Sequence, residues 1–228
     1  MGIQRIKRTV KTLATIVAAF SLSACGGGSS GTTSALDSRV ALGAALFNDV
    51  NLSFNRTQSC ATCHVPEHGF IDNRLDATLR ISAVSVGDDG ITLGDRNSPS
   101  AAYASLAPVF QANGTRARHN PHNANNTYNG ALGGQFLDGR ADDLAAQAGA
   151  PPISAVEMGM PDKAAVVDRL RENPDYIDAF ESLFGSVVFD DVDGAYAAMT
   201  RAIAAFQETE QLSPFDSRYD RSLRGEYT

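Results

Sequence analysis

The sequence predicts an all-α fold interrupted by unusually long irregular loops, and three observations carry that prediction. Apolar residues recur at helical spacing in three separate windows. Sustained β-branched alternation is missing apart from "GSVVF", 185–189. Two long stretches, 71–98 and 109–134, carry neither pattern, and the second is rich in Asn, Gly and His, as an exposed loop would be.

The first helical window is "SALDSRVALGAALFND", 34–49, where Leu36, Val40, Leu42, Leu46 and Phe47 share a stripe. The second opens at Asn173-Pro174, a cap followed by a first-turn residue. It turns Tyr176, Ile177, Phe180, Leu183 and Phe184 inward and closes at Gly185. The third spans 192–208, with Val192, Tyr196, Met199, Ile203 and Phe206 at helical spacing. No internal repeat is present. Apolar residues are thin for so much loop, which fits a core built around a large prosthetic group.

The first residues speak to compartment. Arg5, Lys7, Arg8 and Lys11 form a basic region, and "LATIVAAFSLSA", 13–24, is an apolar segment too short for a bilayer span of about 20 residues. It runs into "LSAC", which resembles a bacterial lipobox with Cys25 as the lipidated residue; plain secretory cleavage nearby is the alternative. "GGGSSGTTS", 26–34, then reads as a flexible tether. The expected organisation is a lipoprotein signal peptide over 1–24, a tether over 25–35 and a periplasmic, lipid-anchored body. Removing 1–24 takes four basic and no acidic residues, so the formal net charge moves from −7 to −11. A body this acidic repels phosphate, which excludes nucleic acid as a partner.

The chemistry concentrates in "TQSCATCHVPEHGF", 57–70, which sets Cys60, Cys63 and His64 in a C-x-x-C-H frame. In an oxidising compartment the two thiols could form a disulfide, but a histidine directly after the second makes that the weaker reading. Thiols three residues apart can sit on one side of a tight helical turn and add across the two vinyl groups of a haem, with the next residue, His64, aimed at the iron. A zinc clip needs a fourth ligand and usually a second Cys pair, and only His68, His119 and His122 remain to supply one. His68 follows His64 by four residues, on the same side of any iron, and reads as a surface or propionate contact. His119 and His122 read as solvated loop histidines.

A larger pattern surrounds the motif. "LGAALFNDVNLSFNRTQSCATCHVPEHGFID", "GDRNSPSAAYASLAPVF", "GGQFLDGRADDLAAQAGAPPISAVEMGMP" and "SPFDSRY" follow one another in that order. Together they resemble the N-terminal half of the bacterial di-haem cytochrome c peroxidase/MauG family, over about 37–220. The resemblance implies an all-α cytochrome c-like haem domain over 36–212, with 213–228 beginning the connection to a second haem domain. It implies haem c bound through Cys60 and Cys63, with His64 as proximal ligand. Gln147 and Glu157 match the distal-pocket amide and acid, and Asn97 matches a ligand of a calcium between the two domains. It further implies hydrogen peroxide as substrate and an electron-donor protein or a quinone as reductant. Reducing peroxide requires a proton to leave one oxygen and one to reach the other, and one carboxylate can do both. Glu157 lies between Val156 and Met158, an apolar setting that raises a carboxyl toward working pH. Gln147 can hold peroxide by hydrogen bonds without titrating.

Three departures from the family pattern shape the expectation. No histidine lies within 71–96, where the peroxidases proper carry one that caps the resting iron, so an open, five-coordinate iron is expected. Leu137, in "FLDGR", stands where the family often has Trp, and the chain has no Trp at all. No second C-x-x-C-H follows, and Thr228 falls where a second domain would begin, which reads as a truncation or one part of a split protein. The alternatives to a peroxidase are a mono-haem electron carrier and a fragment inactive without its second haem domain.

Overall fold

The computed structural model describes residues 35–75, 82–117 and 127–226. Cys25, with the leader and most of the tether, and His119 and His122 lie outside the described residues.

Helix α1, Arg39–Asn48, begins where the Ser38 side chain accepts from the Ala41 N–H at 3.1 Å. Leu42, Leu46 and Phe47 are buried, whereas Val40, expected on the same stripe, is exposed. A single 3₁₀ turn, Val50–Leu52, leads into the short helix α2, Cys60–Cys63, which carries both thiols. Beyond it the described residues form only 3₁₀ turns and isolated bridges until β1, Gln111–Ala117, which pairs antiparallel with β2, Thr127–Leu132. This corrects two expectations: the stretch 109–134 is not simply loop, and the fold is helix-dominated rather than strictly all-α. Strand residues such as Gly114 and Gly130 have little intrinsic β-preference, so pairing between the two strands decides their conformation.

The C-terminal half is helical. Helix α3, Leu144–Ala148, is capped by Asp143, whose side chain accepts from the Ala146 N–H at 2.8 Å. Helix α4, Lys163–Arg171, is capped in the same way by Asp162. Helix α5, Pro174–Phe184, starts at Asn173 and stops at Gly185, whose φ of +104° disfavours any residue with a Cβ. "GSVVF" is therefore no strand: it leaves α5 through Gly185 and closes into a 3₁₀ turn, Val188–Asp190, with the Phe189 ring 5.3 Å from that of Phe180. Helix α6, Val192–Gln207, is buried on nearly every side, with Ala195, Ala198, Met199 and Ala202 fully enclosed. A last short helix, α7, Arg218–Leu223, lies where only a connection was expected.

Helix α6 is the axis of the core. Helices α1, α3 and α4 all pack on it. The α1 contact is the tightest, because a Cβ placed on Gly43 would fall 1.9 Å from the Ala202 carbonyl oxygen. Glycine in a helix interior costs about 1 kcal/mol relative to alanine. Here that cost allows a backbone-to-backbone approach that no larger residue permits. Among the described residues no helix is long and apolar enough to cross a membrane.

The Gly43 contact predicts that Gly43→Ala, a change that would stabilise an isolated helix, destabilises this protein by about 2–3 kcal/mol through overpacking. Chemical denaturation checks this, and a midpoint equal to or above that of the parent would contradict the packing argument.

Candidate haem site

The Cys60–Cys63 turn is fixed before any ligand is considered. The Ser59 N–H donates to Thr62 Oγ1 at 3.0 Å, and the His64 N–H closes the turn onto the Cys60 carbonyl at 2.9 Å. Upstream, the fully buried Ser53 hydroxyl accepts from the N–H groups of Thr57 and Gln58, each at 3.0 Å, which aims the chain into the turn. Below it, Phe47 from α1 meets Phe206 from α6 edge-on at 5.3 Å, and the His64 ring sits 6.4 Å from that of Phe47.

Cys60, Cys63, His64, Asn97, Gln147 and Glu157 line one cavity of about 490 Å³. That volume lies within the usual range for cofactor pockets, about 300–1,000 Å³. The structure thus brings together every candidate residue it describes, from four segments of the sequence. Phe47, Met158 and Ile203 contribute apolar wall. Gln147 projects from α3, which Tyr196 anchors by donating its hydroxyl to the Gly149 carbonyl at 2.7 Å. Asn97 is exposed. Among the described residues no group of three or more His, Cys, Asp or Glu side chains is arranged to hold a metal ion, so no acidic calcium cage accompanies Asn97. His68 is exposed, at the end of the 3₁₀ turn Pro66–His68, and does not line the cavity.

The electrostatics of the pocket follow from burial. Cys60 is pushed up to about 12 by loss of water, with Cys63 and Glu157 adding to the rise. Burial also raises Cys63, opposed by the Arg74 guanidinium. It lowers His64, which favours the neutral imidazole that can ligate a metal. The His64 Nδ1–H donates to the Phe70 carbonyl at 3.1 Å, because a carbonyl can only accept, and this leaves the lone pair on Nε2, which the Ser98 hydroxyl approaches at 3.4 Å. Burial raises Glu157, opposed by hydrogen bonding from Ser154 and by the charge of Arg140.

These residues fit a covalently attached haem. Both thiols are free and sit on one turn facing a largely apolar cavity, with a neutral imidazole directly after them whose far nitrogen carries the lone pair. A helix-dominated fold with this site defines a c-type haem domain.

The family model for di-haem cytochrome c peroxidase matches residues 37–228. The chain is 52% identical over 190 residues to the methylamine utilization protein MauG of Paracoccus denitrificans, covering 83% of this chain and 45% of that protein. It is 32% identical over 188 residues to the cytochrome c peroxidase Ccp of Escherichia coli, covering 82% of this chain and 31% of that protein. The crystal structure of the diheme peroxidase BthA from Burkholderia thailandensis matches with a TM-score of 0.69 and 29% identity, over 83% of this chain and 43% of that chain. This chain belongs to the di-haem cytochrome c peroxidase family, and membership implies haem c. It spans less than half the length of each of these relatives.

Sequence reasoning missed the buried acids around the site. Asp72 binds Arg74 at 2.5 Å, and Arg74 also reaches Cys63 Sγ at 3.2 Å. Burial pushes the Asp72 carboxyl up, but hydrogen bonds from Arg74 outweigh this and hold it below the ordinary carboxylate range. Asp88 is likewise pushed up by burial and held lower overall by hydrogen bonds from Ser53, Thr57 and Asn55. Neither acid carries a sequence signal, because its partners lie elsewhere in the chain or depend on a turn. For both, the folded state lowers the pKa below the unfolded value. Their stabilisation is therefore complete above about pH 4 and is lost as pH falls through their folded values. Stability measured by denaturation should drop as pH is lowered below about 4, and less steeply in an Asp88→Asn variant. An unchanged slope in that variant would remove Asp88 from the effect.

Proposed function

We propose that this chain forms a periplasmic, peroxide-reactive haem domain that reduces hydrogen peroxide with electrons from an external donor. The single observation that carries this reading is the shared cavity: the thiols and imidazole that would hold haem c open onto the same space as an amide and a raised carboxyl. In this reading Cys60 and Cys63 would hold a haem as thioethers and His64 would ligate its iron. The haem, when bound, supplies the redox-active iron at which the peroxide O–O bond is reduced.

The protein side chains supply protons and position. Glu157 takes the proton from one peroxide oxygen and returns it to the other as the bond breaks. Its raised pKa suits that exchange, because an acid nearer working pH both gives and accepts a proton readily. Gln147 holds peroxide through its amide without changing charge, and its side chain makes no hydrogen bond that would divert it among the described residues. Phe47, Met158 and Ile203 keep bulk water out.

The reductant is an electron-donor protein or a quinone, with a second haem domain as the entry route for electrons. Leu137 offers no oxidisable ring for that route. Asn97 contributes to a calcium site shared with that second domain. Cys25 carries a lipid that holds the protein at a bacterial membrane.

Glu157→Ala should leave haem attachment intact and slow the reaction with peroxide at least about tenfold, as loss of a general acid–base does. The optical spectrum of the ferric protein before and after peroxide reads haem content, spin state and reactivity together. An unchanged rate in the variant removes Glu157 from the mechanism. A six-coordinate, low-spin ferric spectrum that peroxide leaves unaltered identifies an electron carrier instead.

A further inference from the structure

Three segments far apart in sequence meet behind the cavity: 53–58, which leads into the haem-bearing turn; 86–88, from the long irregular stretch; and 156–158, which carries Glu157. Asp88 is the residue that joins them. Its carboxylate accepts from the Asn55 N–H at 2.5 Å, the Thr57 hydroxyl at 2.6 Å and the Thr57 N–H at 3.4 Å. Its carbonyl accepts from the same Thr57 hydroxyl at 2.7 Å. Its own N–H donates to the Glu157 carbonyl at 2.7 Å.

We propose that Asp88 is the positioning residue for the Glu157 carboxylate, fixing the acid relative to the Cys60–His64 turn. The inference rests on the proposed role of Glu157. A buried carboxylate, 6% exposed, is costly unless its oxygens are satisfied, and here backbone amides and hydroxyls satisfy them without a salt bridge among the described residues. An acceptor-only group is what two N–H donors and a hydroxyl on one strand of chain require. Two neighbouring contacts complete the seam. The Phe54 N–H donates to the Met158 carbonyl at 2.8 Å, and a Cβ on Gly87 would come within 3.0 Å of the Val156 carbonyl oxygen. The Asp88 carboxylate together with these backbone hydrogen bonds, rather than deformable apolar packing, therefore sets the placement of Glu157 relative to the Cys60–His64 turn. That precision matters because a misplacement of about 1 Å can cost about a hundredfold in rate.

The test is a double-mutant cycle on the haem-loaded full chain, with kcat and KM for peroxide measured for Asp88→Ala, Glu157→Gln and the pair. Asp88→Ala should lower kcat about tenfold or more, with KM within about threefold, while Asp88→Asn, which keeps an acceptor oxygen, should recover most of the loss. In the Glu157→Gln background, Asp88→Ala should cost less than about twofold. A full loss in that background overturns the proposal and leaves the role of Glu157 standing. A Glu157→Gln protein as active as the parent overturns the role of Glu157, and the proposal with it. Independently of haem, deuterium uptake in Asp88→Ala should rise at 156–158 together with 53–58, and a rise confined to 53–58 overturns the coupling. Should Asp88→Ala fail to fold, Thr57→Val, which removes one donor from the same carboxylate, replaces it in the cycle, with about threefold expected in the parent background and none without Glu157.

Discussion

The approach of α1 to α6 at Gly43 constrains everything around the site. Bringing the two backbones together places Phe47 at the end of α1 against Phe206 near the end of α6. Phe47 in turn lies 6.4 Å from the His64 ring. The chain leaves α1 directly into the 3₁₀ turn at Val50–Leu52, and Ser53 then aims it into the Cys60 turn. The distance from the helix pair to the thiols is thus only a dozen or so residues of tightly hydrogen-bonded chain, too short to wander. From the other end of α6, Tyr196 reaches Gly149 and so anchors the helix that presents Gln147. One helix therefore locates both the Cys60 turn and one of the polar groups that share its cavity.

The same enclosure governs charge. Removing water from the cavity moves its resolved titratable groups toward their neutral forms: both thiols and Glu157 upward, His64 downward. Charge survives nearby only where it is satisfied. Asp72 keeps its ionised form through Arg74, and Asp88 through amides and hydroxyls. A pocket arranged in this way can accept a large, mostly apolar ring without stranding a buried ion.

Local signals were legible in the sequence, and long-range ones were not. Asn173 and Gly185 mark both ends of α5 because capping is decided within one turn of chain. Val40 breaks the expected stripe because α1 turns a narrower face to α6 than its apolar residues suggest. The pairing of 111–117 with 127–132 carries no local signal, because its strands are held by partners across the ribbon rather than by their own preferences. "GSVVF" misled in the opposite sense, since β-branched residues there serve a turn packed on Phe180. At the site, the shared turn of Cys60, Cys63 and His64 was readable, because their spacing is a property of five consecutive residues. The Phe70 carbonyl that orients His64 and the Asp88 seam could not be read, since each depends on chain returning to the site.

The loop at 135–141 shows how the fold holds backbone that it would not otherwise tolerate. Phe136 and Leu137 both adopt left-handed φ, +66° and +65°, which costs non-glycine residues about 1 kcal/mol or more each. The loop is closed at its base by the Gln135 N–H on the Ala141 carbonyl at 2.8 Å and by the Gly139 N–H on the Gln135 carbonyl at 3.0 Å. Arg140 stacks on the Phe136 ring at 4.1 Å, and Asp138 receives both Arg140 and Arg96. Gln135, Phe136, Leu137 and Arg140 also line the cavity, so these clamps shape its rim as well as the loop. Burial does not hold the loop in place, because Leu137 remains 89% exposed. The strain is offset by hydrogen bonds and a stacked guanidinium. The Leu137 side chain is therefore presented by a loop whose clamps do not depend on it.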